Sequence, residues 1–291
     1  MSELSEEAIN NLFKFQRNEI TEGTVYRRLA SIEKNKENKD VLIQIAEAED
    51  KHYLDLKNFT HKDVGPNKWL VAKYYWMARL LGSTFTVKLM ESEGNNAHSI
   101  YSNHMENEDL QRMARDEEAY ESKLISLINE ERLYYMGSVV LGLNDALVEF
   151  TGALAGFTLA LSDHRLIALT GSITGIAAAL SMASSEYLST KSEGGKTKHP
   201  AKAAIYTGIA YLITVTALVT PFILMQNVLQ AMCVMLLMAL IIIALFNYYY
   251  AVARSESFKK RFVEMAVLSF SVAGISFLIG YLLNVFTGIT T

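Results

Sequence analysis

Glu49 and His52 stand three residues apart in Glu49-Asp50-Lys51-His52, a Glu-x-x-His pair on one face of a helix. Di-metal carboxylate bundles take such a pair from two of their helices and a single Glu from each of the other two. Candidates for the remaining ligands follow the chain. Glu19 has Glu22 one turn on, Glu91 and Glu93 lie in a later segment, and Asp116-Glu117-Glu118-Ala119-Tyr120-Glu121 in a fourth. There Glu117 and Tyr120 repeat the spacing of Glu49 and His52, with Glu121 alongside. Any one of these acids alone reads equally as a solvated face. Acidic points on four successive segments favour a shared divalent-metal site.

A second set of polar residues sits in apolar surroundings. Asp145 and Glu149 are one turn apart in GLNDALVEFTG, and Met182 comes one turn before Glu186 in ALSMASSEYLS. Ionisable groups inside a membrane span are costly and usually functional. Acids and a thioether facing one cavity would hold a borderline or soft divalent cation. The competing reading leaves Glu186 in interfacial water, Met182 as packing and Asp145 hydrogen-bonded to a neighbouring helix.

The elements that must position these residues divide the chain in two. Residues 1–132 hold 18 of the 27 Lys+Arg and 24 of the 31 Asp+Glu, an excess of six acids. The remainder, 133–291, is apolar enough to live in lipid. An acidic soluble half argues against nucleic acid and is compatible with cations. The single cysteine, Cys233, excludes a disulfide within the chain and a thiolate cage, which leaves carboxylate, imidazole and thioether donors. Neither a phosphate-binding glycine loop nor a nucleophilic triad is evident, so an ATP-driven or hydrolytic function is not indicated.

The first half is predicted all-helical, with helices near 5–34, 39–61, 68–102 and 108–131. The last has no breaker before Met136 and can run into the membrane half as one rod. Lys68-Trp69-Leu70-Val71-Ala72-Lys73-Tyr74-Tyr75-Trp76 mixes aromatics with lysine, which suits a membrane interface and equally a crossover packed on a bundle. The second half is predicted to cross the membrane five times, near 137–161, 165–189, 203–225, 228–252 and 263–286, each about the 20 residues a spanning helix needs. Gly142, Gly152, Gly156, Gly171 and Gly175 let the first two spans pack closely, against each other or across a dimer. Lys191, Lys196, Lys198 and Lys202 fill the second loop, and Arg254, Lys259, Lys260 and Arg261 the fourth. By the positive-inside rule these loops face the cytoplasm, which places the N-terminal domain inside and the C-terminus outside. The acidic N-terminus, without the apolar core of a signal peptide, agrees.

GLNDALVEFTGALAG and SITGIAAALSMASSEYLSTKSE resemble the first two membrane helices of the vacuolar iron transporter family. That resemblance implies a five-span, dimeric exchanger of Fe²⁺, sometimes Mn²⁺, for protons, with Asp145 and Met182 lining the metal path. Ser138 and Thr174 stand where relatives often carry acids. FQRNEITEGTVYRRLA, IAEAEDKHYLDL, ARLLGSTFTVKLMESEG and MARDEEAYESKL resemble the rubrerythrin and ferritin-like superfamily, more narrowly the membrane-bound ferritins. The implied fold is a ferritin-like four-helix bundle with a di-iron site, its ligands falling on Glu19, Glu49, His52, Glu91 and Glu117; Mn²⁺ or Zn²⁺ would suit the same donors. Together the resemblances imply a metal exporter in the cell (inner) membrane, its soluble domain collecting or sensing the ion. A membrane-anchored di-iron ferroxidase or peroxidase, with spans serving only as anchor, is the alternative.

Overall fold

A computed structural model of the chain describes residues 6–102, 134–193 and 198–287, and every regular element among them is helical. The chain divides into two units, Met1–Glu130 and Glu131–Thr291. In the first, α1 (Glu6–Ile32) turns into α2 (Lys36–Thr60) through Asn35, whose Oδ1 accepts from the backbone N–H of Glu37 at 2.8 Å and Asn38 at 3.2 Å. This satisfies two donors that a helix start leaves without an intrahelical partner. His61, in the left-handed region at φ 53°, ends α2. Asn67 caps α3 (Lys68–Leu81) in the same way as Asn35.

The predicted 68–102 helix is broken. Gly82 adopts φ 101°, a conformation that favours glycine, and separates α3 from α4 (Ser83–Ser102). The unit's core joins Val25, Tyr26 and Leu29 of α1, Leu42 and Ile45 of α2, Val71 and Tyr74 of α3, and Val87 and Met90 of α4. The predicted 108–131 helix lies outside the described residues.

The second unit holds five helical stretches long and apolar enough to cross a membrane: Met136–Leu161, His164–Ser192, Pro200–Leu224, Val228–Arg254 and Phe258–Phe286. The chain is an integral membrane protein. The first stretch is composite. It comprises α5 (Met136–Asp145), a π-helical turn (Ala146–Phe150) and α6 (Thr151–Leu161). Ser162, at φ 53°, and Asp163, whose carboxylate accepts from the N–H of Arg165 and Leu166, make the tight turn into α7 (His164–Ser192). The helices α8 (Pro200–Leu224), α9 (Val228–Arg254) and α10 (Phe258–Thr287) complete the unit, and α8 continues one turn past Pro221.

Gly171 and Gly175 let the first two spans meet as expected, and the small residues serve the third and fifth spans as well. A Cβ on Gly142 would sit 2.6 Å from the Thr207 carbonyl oxygen of α8, and one on Gly152 2.9 Å from Val272 of α10. Gly156 meets Gly280 backbone to backbone. Gly171 and Gly175 take up Leu154 and Phe150 of the first span and Val215 and Val219 of the third. The first span is thereby clamped between the third and the fifth.

Candidate functional site

Glu19, Glu49 and His52 converge in the N-terminal unit. Two antiparallel helices bring them together, and a glycine sets their distance. A Cβ on Gly23 would lie 3.1 Å from the Glu49 Cβ, so its absence lets α1 and α2 close at the level of Glu49. Arg27 of α1 pairs with Asp50 of α2 one turn further along and fixes the register. At the other end Gln16, fully buried, accepts from the Thr60 hydroxyl and donates to the Lys62 carbonyl, each at 2.7 Å.

Between these clamps the Glu19 and Glu49 side chains are buried. The His52 Nδ1 atom lies 3.6 Å from Glu19 Oε2 and 3.8 Å from Glu49 Oε2. One ligand atom from each residue fits within 4.8 Å of the other two. Burial pushes the Glu49 carboxyl well above the usual carboxylate range; the His52 ring pulls it back, while the nearby charges of Glu19 and Glu22 raise it further. Two carboxylates held this closely out of water share either a proton or a cation. Oxygen and imidazole donors suit Fe²⁺, Mn²⁺ or Zn²⁺. The donor set therefore fits a divalent transition metal, and the group is a candidate metal site.

Of the other acids expected here, Glu22 is half-buried and close enough for its charge to act on Glu49. Glu91 and Glu93 lie on α4, outside the three-residue group. Glu93 accepts a 2.5 Å hydrogen bond from Tyr74 and lies 3.8 Å from the Lys73 ammonium. Glu117, Tyr120 and Glu121 lie outside the described residues.

In the membrane unit the polar side chains form two groups. Asp145 ends α5, Glu149 falls inside the π turn, and Tyr211 of α8 is buried beside them, all close enough to interact electrostatically. The Tyr211 hydroxyl makes no hydrogen bond of ordinary geometry among the described residues. π turns inside α-helices are frequent at functional sites, because the extra residue per turn re-aims side chains. Glu149 is exposed on this single chain although it sits midway along its span.

The second group surrounds Glu186. Its buried carboxylate accepts from the Ser138 hydroxyl at 2.6 Å and the Thr190 hydroxyl at 3.5 Å. Thr207 in turn donates to the Ser138 carbonyl at 2.9 Å and ties in the third span. Ser138 lies two turns before Asp145, roughly 10 Å along the helix axis. Glu186 is thus held in a polar group separate from Asp145 and Glu149, and it is not the water-exposed interfacial residue of the competing reading. Met182 is half-buried against the apolar core of the unit. Tyr211, Thr190 and Thr207 were not singled out from sequence. A tyrosine and threonines within apolar runs are the available signal, but hydropathy alone does not say which of them face an acid.

Residues 136–195, the first two spans with the start of the loop that follows, match the model of the VIT (vacuolar iron transporter) family. No curated protein and no solved structure matches the chain. The matched stretch contains Ser138, Asp145, Glu149, Met182 and Glu186, and the family it resembles suggests metal-ion transport.

Proposed function

We propose that the chain exports divalent iron, or manganese, from the cytoplasm in exchange for protons, with a ferritin-like N-terminal domain that collects or senses the ion. The observation that carries this reading is the pairing of Asp145 and Glu149 at a π turn midway along a span that matches the VIT family. An anchor helix has no use for two mid-span carboxylates, each of which costs about 2.5–3.5 kcal/mol on insertion scales unless it is paired or hydrated. Exposure of Glu149 in the middle of the bilayer supports a homodimer. A second copy or a water-filled path between copies must cover it, since lipid cannot.

The mechanism follows from carboxylates that hold either a cation or a proton. Metal enters from the cytoplasmic side, where Glu186 is held by Ser138 and Thr190, passes Met182, and reaches Asp145 and Glu149 beside Tyr211. Protons return to the emptied carboxylates and complete the exchange. In the soluble domain Glu19, Glu49 and His52 are three ligands of a di-metal site whose others include Glu91 and Glu117. Loop charges support a cytoplasmic position for this domain, with the C-terminus outside the cell membrane. Asp145→Asn keeps the shape of the side chain but removes its charge, and is expected to abolish metal flux into proteoliposomes while the purified protein keeps its size and melting behaviour. Flux equal to wild type removes Asp145 from the path. The metal group of the soluble domain also favours a second reading, a membrane-anchored di-iron oxidase. That reading predicts metal oxidation without flux.

A further inference from the structure

The helix α3 is apolar on two opposite sides. Val71, Tyr74 and Ala78 point into the core of the N-terminal unit, where α3 packs on α1 and α4. At roughly 100° per residue, Trp69, Trp76 and Leu80 fall within about 40° of one another on the far side. They are 71, 60 and 73% exposed. These are the only two tryptophans of the chain. Lys68, Lys73 and Arg79 flank the stripe, and α3 contains no acidic residue. Lys68 and Arg79 are exposed, while Lys73 leans toward Glu93.

We propose that this face of α3 docks on a lipid bilayer, with Trp69, Trp76 and Leu80 entering the headgroup boundary and Lys68, Lys73 and Arg79 meeting anionic headgroups. Indole is the side chain best matched to that boundary, having an apolar body and a polar N–H. A stripe of Trp and Leu bordered by cations is the pattern of helices that lie in the interface plane. Charge decides between lipid and a second copy of the chain. A two-fold contact through this face would set its three cations against the same three, whereas the anionic leaflet attracts them. The five spans also keep a bilayer permanently within reach, so lipid is the partner at the highest effective concentration. Docking of this kind is independent of which ion the membrane unit carries.

The two tryptophans make the test specific, because no other part of the chain contributes their emission. The full chain is reconstituted into phosphatidylcholine vesicles and into mixed phosphatidylcholine and phosphatidylserine vesicles, each with and without bromine-labelled acyl chains. The expected result is emission that is quenched by bromolipid and shielded from acrylamide in the phosphatidylserine vesicles. Neutralising Lys68 and Arg79 together (Lys68→Gln, Arg79→Gln) should lower the docked-to-undocked ratio roughly 25-fold, at about fivefold per basic residue near an anionic surface. Raised salt should weaken docking of the unaltered protein in the same direction, which keeps the test valid if the double variant folds poorly. Emission open to acrylamide and insensitive to bromolipid places the face in water and overturns the proposal. Emission shielded from both quenchers shows that protein covers the face, and overturns it equally.

Discussion

Glu49→Gln removes a charge from the N-terminal metal group while leaving its shape. The ligand oxygens of Glu19 and Glu49 lie within 4.8 Å of each other. Two unit charges at that distance repel by about 3.5 kcal/mol at an effective dielectric of about 20. His52 returns part of this when it is protonated, so the variant should gain about 2–3 kcal/mol when both carboxylates of the unaltered protein are ionised. The sign depends on pH. Burial raises the folded-state pKa of Glu49 above its unfolded value, so the stability associated with its protonation is complete below the usual carboxylate range and is lost as pH rises through the raised value. The variant escapes that loss. Its advantage is therefore absent in acid and grows toward alkaline pH. Metal closes most of that gap. Mn²⁺ at about a hundredfold its dissociation constant stabilises the unaltered unit by roughly 2.7 kcal/mol, and the variant, with one ligand oxygen replaced by an amide, loses most of this. The assay is thermal unfolding of the full chain in detergent, followed by emission from Trp69 and Trp76, both of which belong to the N-terminal unit. In chelator at mildly alkaline pH the variant should melt higher by roughly 10 °C, at about 4 °C per kcal/mol for a unit of this size. With Mn²⁺ the unaltered protein should gain the larger increment. A variant that melts lower than wild type in chelator, or that gains as much from Mn²⁺, refutes a shared carboxylate site.

Gly23→Leu drives a side chain into the Glu49 Cβ, which an added Cβ would already approach at 3.1 Å. It should weaken metal binding at least tenfold by calorimetry while the helical content by circular dichroism stays unchanged, since the helices are pushed apart and not broken. Ser138→Ala takes the 2.6 Å donor from the buried Glu186 carboxylate, and an unsatisfied buried acceptor costs about 1–3 kcal/mol. Thermal unfolding of the detergent-solubilised protein should show that loss, and flux should fall, while Ser184→Ala, an exposed serine of the second span that bonds only its own helix, should leave both unchanged.

The five spans were legible because each carries about 20 apolar residues between charged or turn-forming loops, a signal that needs no tertiary contact. The breaks at 34–39 and 61–68 fell within three residues of the observed ends of α1, α2 and α3 for the same reason, because turn-forming residues act locally. Glu19, Glu49 and His52 could be grouped from spacing once the helices were placed, since only the antiparallel pairing of two neighbouring helices had to be supplied. The break at Gly82 was not legible, because a lone glycine within an apolar-periodic run is compatible with an unbroken helix. The π turn at Ala146–Phe150 is invisible to hydropathy: the same residues suit an α-helix, and packing against the third and fifth spans accompanies the change. Ser138 and Glu186 stand 48 residues apart, and Tyr211 and Asp145 further still. Which hydroxyl meets which acid depends on helix rotation, which composition does not encode. The roles expected of Gly142, Gly152 and Gly156 needed correction on the same ground, since small residues mark a close approach without naming the helix that approaches.

Coupled flux tests the central claim most directly. Proteoliposomes holding the full chain, with a divalent-metal indicator and a pH indicator trapped inside, are exposed to Fe²⁺ or Mn²⁺ with and without an imposed pH gradient. Exchange predicts that metal entry expels protons, that the lumen turns alkaline in step with uptake, and that a lumen made acidic beforehand accelerates entry. Metal oxidation on the outside of vesicles whose lumen receives neither metal nor a change of pH contradicts the transporter reading and leaves the membrane unit as an anchor.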